Sequence, residues 1–224
     1  MCRRILERAG DALLCGDCQK KLHPVTEPRC KRCSKPLGSM EEELCEDCQG
    51  RTFCVERGYA LYPYDSLMKK AVRNFKYDGE LSCGDHFAGE LADTYGDWIR
   101  EISPDVLIPV PIHKKRMRFR GFNQAEYMAS VIGERLGIRV LTDYLIRTKN
   151  TKPQKGLDVK SRTQNLQKRF RVVTDDLHFK KVLLVDDIYT TGSTLEACGE
   201  ALKNVGTERI YFLCLCIGRG DPAT

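Results

Sequence analysis

The sequence predicts an α/β fold: a parallel β-sheet flanked by helices, preceded by a small cysteine-rich domain. Three observations predict it. From about residue 57 onward, short apolar runs alternate with helical patterns, as in a parallel sheet with crossover helices. Eight of the twelve cysteines fall in residues 1–54. One apolar run, Val182 to Val185, ends in two adjacent acids, Asp186 and Asp187, and a hydroxyl-rich turn follows.

Composition sets the bounds. The 224 residues suffice for one full domain and a small appendage. Hydrophobic residues make up 42% and charged residues 30%, the balance of a soluble globular chain. No apolar run nears the roughly 18 residues of a membrane span. "MCRRILERAGDALLC" has no apolar stretch behind Arg3 and Arg4, so it reads poorly as a signal peptide, and a cytoplasmic location is expected. In a reducing compartment, twelve cysteines favour metal ligation over disulfides. A net charge of +6 suits an anionic ligand without proving nucleic-acid binding.

The elements follow in order. Residues 1–54 carry three CxxC pairs, Cys15/Cys18, Cys30/Cys33 and Cys45/Cys48, with eleven residues between successive pairs. Little periodic apolar content accompanies them, so a metal must replace a core. A CxxC turn places two thiolates on one tetrahedral ion, and a second pair completes the site. Cys30, Cys33, Cys45 and Cys48 form such a set for a structural Zn²⁺, with "CKRCSKPLG" resembling a zinc-ribbon knuckle. Cys15 and Cys18 need two further ligands; Cys2, His23 and Cys54 are available, none at the usual spacing, and the pair also reads as half of a second ribbon. Cys83, Cys198, Cys214 and Cys216 read as small apolar core residues.

Residues 55–224 form the second domain. "GYALYPYD" (58–65) is a strand entering a turn, and "SLMKKAVRNFKY" (66–77) has helical apolar spacing. "GDHFAGELADTYGDWI" is a second amphipathic helix, "DVLIPVPI" (105–112) a buried strand, and "NQAEYMASVIGERLG" (123–137) a helix stopped by Gly137. The polar stretch 148–168 separates these from the strand "VLLVDD", the helix 193–204 and the final strand "RIYFLCLCI" (209–217).

Ligands of parallel α/β sheets bind beyond the C-terminal strand ends, where Asp186 to Thr194 lie. The hydroxyls and amides of Thr190, Thr191, Gly192, Ser193 and Thr194 open a helix, and free amides with the helix dipole attract phosphate. Carboxylates next to them accept hydrogen bonds from sugar hydroxyls. No GxxxxGKS/T motif is present, which excludes the nucleotide P-loop. "PVPIHKKRMRFRGFNQA" (109–125) has five basic residues among Lys114 to Arg120 and reads as a phosphate-facing loop.

"VLLVDDIYTTGST" resembles the phosphoribosyl pyrophosphate (PRPP) motif of type I phosphoribosyltransferases. That resemblance implies that Asp186 and Asp187 hold the ribose hydroxyls, that residues 190–194 hold the 5-phosphate, and that Mg²⁺ accompanies PRPP. It makes "RTKNTKPQKGLDVKSRTQNLQKRF" (147–170) a candidate for the loop that closes over pyrophosphate, with a plain surface hairpin as the alternative. With the cysteine pairs, the basic segment and "GYALYPYDSLMKKAVRNFKYDGE", the chain resembles the ComF family, which joins a double zinc ribbon to a type I phosphoribosyltransferase domain. Family members usually open with another CxxC pair; this chain has only Cys2 there.

The resemblance implies a role in DNA uptake and leaves two functions open. One is phosphoribosyl transfer, with Asp186, Asp187, Arg116 and Arg120 in the chemistry and Arg118 on phosphate. The other is a non-catalytic module binding a nucleotide or single-stranded DNA through basic loops and Phe119, Phe122 and Tyr127. Competence helicase or DNA-processing proteins are partners implied by the resemblance.

Overall fold

The computed structural model describes residues 16–77, 81–148, 169–174 and 176–218. After a short helix α1 (Gly16–Gln19) and the cysteine-rich segment come β1 (Arg57–Pro63), α2 (Ser66–Tyr77) and α3 (Leu81–Ile102). Next are β2 (Val106–Pro109), α4 (Lys114–Arg120), α5 (Gln124–Leu136) and β3 (Leu145–Arg147). β4 (Phe170–Val172), β5 (Lys181–Tyr189), α6 (Ser193–Lys203) and β6 (Arg209–Ile217) complete the chain.

β1, β6, β5 and β2 form one sheet in that order, every pairing parallel. Residues 139–141 extend it beyond β2: Leu107 bridges Val140, its N–H donating to the Arg139 carbonyl and its carbonyl accepting from Leu141. From β5 the chain moves through α6 to β6 on one side, and from β2 it moves through α4 and α5 to 139–141 on the other. The crevice between the C-terminal ends of β5 and β2 is therefore the topological switch point, the place where open α/β sheets bind ligands.

Both faces of the sheet are buried, as a parallel sheet requires. Leu183, Val185, Tyr211, Leu213 and Leu215 pack with α2, α3 and α5. Their alternates Val182, Leu184, Ile210, Phe212 and Cys214 pack with α6, Tyr144, Phe170 and the cysteine-rich segment. Cys83, Cys198, Cys214 and Cys216 are all buried in these cores, as expected.

Three features depart from the sequence reading. β5 does not stop at the acids; it runs past Asp186 and Asp187, and pairing continues to Tyr189 opposite Ile217. The basic run 114–120 is a helix and not a loop. His113 caps it by accepting the Lys115 N–H, and Gly121 closes it in the left-handed conformation with φ 82°. The polar stretch after β3 is bracketed by the antiparallel strands β3 and β4, whose bounds the sequence did not mark; the pair ends where Thr148 N–H donates to the Arg169 carbonyl at 2.7 Å. Residues 149–168, the expected closing loop, lie outside the described residues.

The ribbon covers the β1 edge, which would otherwise offer unpaired backbone. Val25 N–H donates to the Leu61 carbonyl at 2.8 Å and Gly58 N–H to the Arg32 carbonyl at 2.9 Å. Gly58 is required there, because a Cβ would stand 2.1 Å from the Phe212 carbonyl oxygen. Among the described residues no helix is long and apolar enough to cross a membrane.

Candidate functional site

Two sites take shape. In the ribbon, the Sγ atoms of Cys30, Cys33, Cys45 and Cys48 all lie within 4.8 Å of one another. Tetrahedral Zn–S bonds of about 2.3 Å set sulfurs just under 4 Å apart, so the donor set fits zinc. The thiols also behave as a cluster short of positive charge. Cys30 is drawn down by the hydrogen bond from Cys33 and by backbone N–H groups, whereas Cys33 is pushed up by that same bond and by burial. A divalent cation lets all four ionise. Four thiolates leave no open position, so the site is structural. Cys18 is buried apart from this cluster, and Cys15 lies outside the described residues.

The other site is a cavity of about 250 Å³ at the switch point. β5 contributes Asp186 and Asp187, the turn after it Thr190, and the start of α6 Thr194. Because side chains alternate along a strand, the two acids leave on opposite faces of the sheet. Asp187 is ion-paired with Lys76 of α2. Asp186 sits on the α6 side, and burial with the neighbouring Asp187 pushes its carboxyl well above the usual carboxylate range.

The turn is preorganised for an anion. Gly192 takes φ 76° and offers no side-chain cap to α6, so the amides of Thr194 and Leu195 have no capping side chain among the described residues. Thr191 Oγ1 donates to Ser193 Oγ at 3.1 Å and accepts the Ser193 N–H at 3.4 Å. Tyr189, buried and stacked on Phe212, lies directly beneath Gly192.

The opposite wall is basic. Arg116 and Arg120, one helical turn apart on α4, both reach the cavity. Arg118, two positions from each, lines neither this cavity nor the larger one beside it and is exposed. Three wall residues were not singled out by the sequence. Lys76 follows the apolar stripe of α2 without any motif. Arg147 was one cation among many in 147–169; here burial, Arg116 and Arg169 pull its pKa down, and the nearby Asp186 carboxyl offsets this only in part. Gln124 is buried, accepts from Arg120 Nη1 at 3.1 Å, and leaves its Nε2 without a partner among the described residues. Asn123 beside it caps α5 and donates to the Val110 carbonyl at 3.1 Å, tying the "GFNQ" segment to the end of β2.

Comparison with known proteins agrees with this architecture. Residues 120–223 match the phosphoribosyl transferase domain, and residues 1–49 the double zinc ribbon domain. Competence protein F of Haemophilus influenzae is 29% identical over 93% of this chain and 92% of its own length. Competence protein ComFC of Bacillus subtilis is likewise 29% identical, over 88% of this chain and 80% of the relative. The chain is thus similar to the ComF competence proteins over most of its length. A purine phosphoribosyltransferase from Pyrococcus horikoshii overlays 59% of this chain and 71% of its own, with TM-score 0.38 and 23% identity.

Proposed function

We propose that this ComF-like chain binds PRPP at the switch point with Mg²⁺ and acts as a phosphoribosyltransferase in the cytoplasmic handling of incoming single-stranded DNA. One observation carries the reading: two carboxylates and an uncapped helix N-terminus open into the same cavity, facing Lys76, Arg116, Arg120 and Arg147. Acids for hydroxyls and amides for phosphate fit a phosphorylated sugar better than a bare phosphate.

In this reading the 5-phosphate rests on the residues 190–194 and the ribose hydroxyls on Asp186 and Asp187. The bond from C1 to pyrophosphate breaks, and pyrophosphate leaves with the electron pair. An acceptor lone pair closes on C1, and the acceptor's proton passes to water. The transition state is oxocarbenium-like, so positioning and charge neutralisation carry the rate, without a protein nucleophile. Arg116 and Arg120 neutralise the departing charge, and Gln124 Nε2 is a spare donor. Mg²⁺ prefers hard oxygen ligands, which the two carboxylates and PRPP supply, and it would neutralise pyrophosphate. The names of the competence relatives support the link to DNA uptake, with a competence helicase or DNA-processing protein as partner.

Calorimetric titration with PRPP, with and without Mg²⁺, tests the reading. Wild type binds, and Asp186→Asn with Asp187→Asn does not; equal binding by both sinks the ribose assignment. A second reading, a non-catalytic nucleotide or single-strand binder, is favoured by the exposed Arg118 and Phe119. PRPP binding without pyrophosphate release for any acceptor would select it.

A further inference from the structure

A second, larger groove of about 500 Å³ opens beside the switch-point cavity. The two share Tyr64, Lys76, Arg116 and Arg120, so a molecule in the groove reaches the ribose site. Its far end is formed by Lys69, Arg73, Lys115, Tyr77 and Phe119, and no acidic residue among the described residues lines it.

Lys69, Arg73 and Lys76 follow i, i+4, i+7 on α2 and so share one face. At 1.5 Å rise per residue they make a strip of positive charge about 10 Å long, leading away from Asp187. Among the described residues only Lys76 has a carboxylate partner; Lys69, Arg73 and Lys115 have none. Such a row of like charges repels itself until an anion lies along it. Across the groove Phe119 is 78% exposed and Tyr77 52%, their rings edge to face at 6.0 Å. Arg120 fixes Tyr77, donating to its hydroxyl at 3.0 Å with the guanidinium 5.0 Å from its ring. A bare phenyl face beside unpaired cations is a stacking platform for a planar ring that carries a phosphate.

A pocket for a free base is enclosed and mostly apolar, with a few convergent polar groups. This groove is open and cationic. We infer that it is the acceptor subsite and that the acceptor is a phosphorylated nucleoside, with its ring on Phe119 and Tyr77 and its phosphate on Lys69 and Arg73; this rests on the ribose-phosphate reading above. A nitrogen or oxygen lone pair of that nucleotide bonds to C1 as the C1–O bond to pyrophosphate breaks. Pyrophosphate keeps the bonding electrons, and the acceptor's proton goes to water. The nucleotide is either free or a unit of a strand, and the test separates the two. The competing occupant of the strip is pyrophosphate itself.

The zinc-loaded full chain is given PRPP, Mg²⁺ and one of three acceptors: free bases, the matching 5′-mononucleotides, or a short DNA strand. Pyrophosphate release is followed, and PRPP affinity is measured in parallel by calorimetry. Release is expected with mononucleotide or strand and not with free bases; whichever of the two serves identifies the source. Lys69→Ala with Arg73→Ala, both at exposed positions, should raise the acceptor KM about ten-fold while PRPP affinity stays within about two-fold. Phe119→Ala should raise KM without altering its salt dependence. Equal turnover of free bases overturns the proposal. So does a parallel loss of PRPP affinity in the double variant, which would give the strip to pyrophosphate, and so does an absence of release while PRPP binds. Failure of wild type to bind PRPP would bring down the ribose-phosphate reading, and the acceptor assignment with it.

Discussion

Arg32 Nη2 donates to Glu196 Oε1 at 2.9 Å, joining the metal knuckle to the first turn of α6. The same nitrogen donates to the Val55 carbonyl at 2.7 Å, and the other Glu196 oxygen accepts the Cys54 N–H at 2.7 Å. Glu196 lies three residues beyond Ser193, and its own N–H donates to the Gly192 carbonyl at 2.9 Å. The ribbon thus holds the turn that the proposed 5-phosphate occupies. Arg32→Ala would leave Glu196 half-buried without its cation. Melting should fall by the equivalent of about 2 kcal/mol, and PRPP affinity several-fold, with zinc content unchanged. Unaltered PRPP affinity would mean the tie is structural only.

Removing zinc should reach further. The thiols of Cys30, Cys33 and Cys48 are part of the core that includes Tyr189 and Leu195. Chelation, or Cys48→Ser, should expose this face to hydrogen exchange in residues 189–196 as well as in the ribbon. Exchange confined to the ribbon would contradict the packing.

The buried acid gives a pH signature. The folded chain holds the Asp186 proton more tightly than the unfolded chain, whose carboxyl titrates near about 3.9. The stabilisation is therefore complete below that value and is lost as pH rises through the higher folded one. Asp186→Asn, which keeps an oxygen to accept the Asp187 N–H, should melt above wild type by about 2–4 °C per kcal/mol at neutral pH. Near pH 4 the two should converge. Differential scanning calorimetry across this range checks the sign.

Lys76 and Asp187 are both mostly buried, with side chains 15% and 16% exposed. Lys76→Met strands a carboxylate and should cost about 3 kcal/mol, most of it recovered when Asp187→Asn is added. Independent, additive losses in denaturant titrations would show that the pair is not coupled.

Gly192→Ala forces a Cβ to within 2.5 Å of the Tyr189 hydroxyl at a left-handed position. Tyr189 cannot yield easily, being stacked on Phe212 at 5.0 Å. A loss of about 1–2 kcal/mol is expected from the backbone alone, with weaker PRPP binding. Wild-type stability would mean the turn can reshape.

The sequence conveyed the sheet, because continuous apolar runs and helical periodicity survive translation into either face of a parallel fold. It also conveyed the acids and the hydroxyl-rich turn, since both are adjacent in the chain. What it hid was contributed from elsewhere. Lys76 and Gln124 reach the cavity only because α2 and α5 pack beside β5. α4 was read as a loop because charge outweighed periodicity, and that choice made Arg118 look equivalent to Arg116 and Arg120. Once the run is helical, position 118 turns away. The β3–β4 pair has three residues per strand, too short for an alternating pattern to register.

The opposite orientation of Asp186 and Asp187 has a mechanical consequence. Each acid belongs to a different layer: one backs onto α6 and the ribbon, the other onto α2 and its row of cations. A sugar gripped by both would act as a rivet through the sheet, and tension on either layer would be felt by the other. Occupancy of the site would then be felt on both outer surfaces of the molecule, the zinc side and the cationic side.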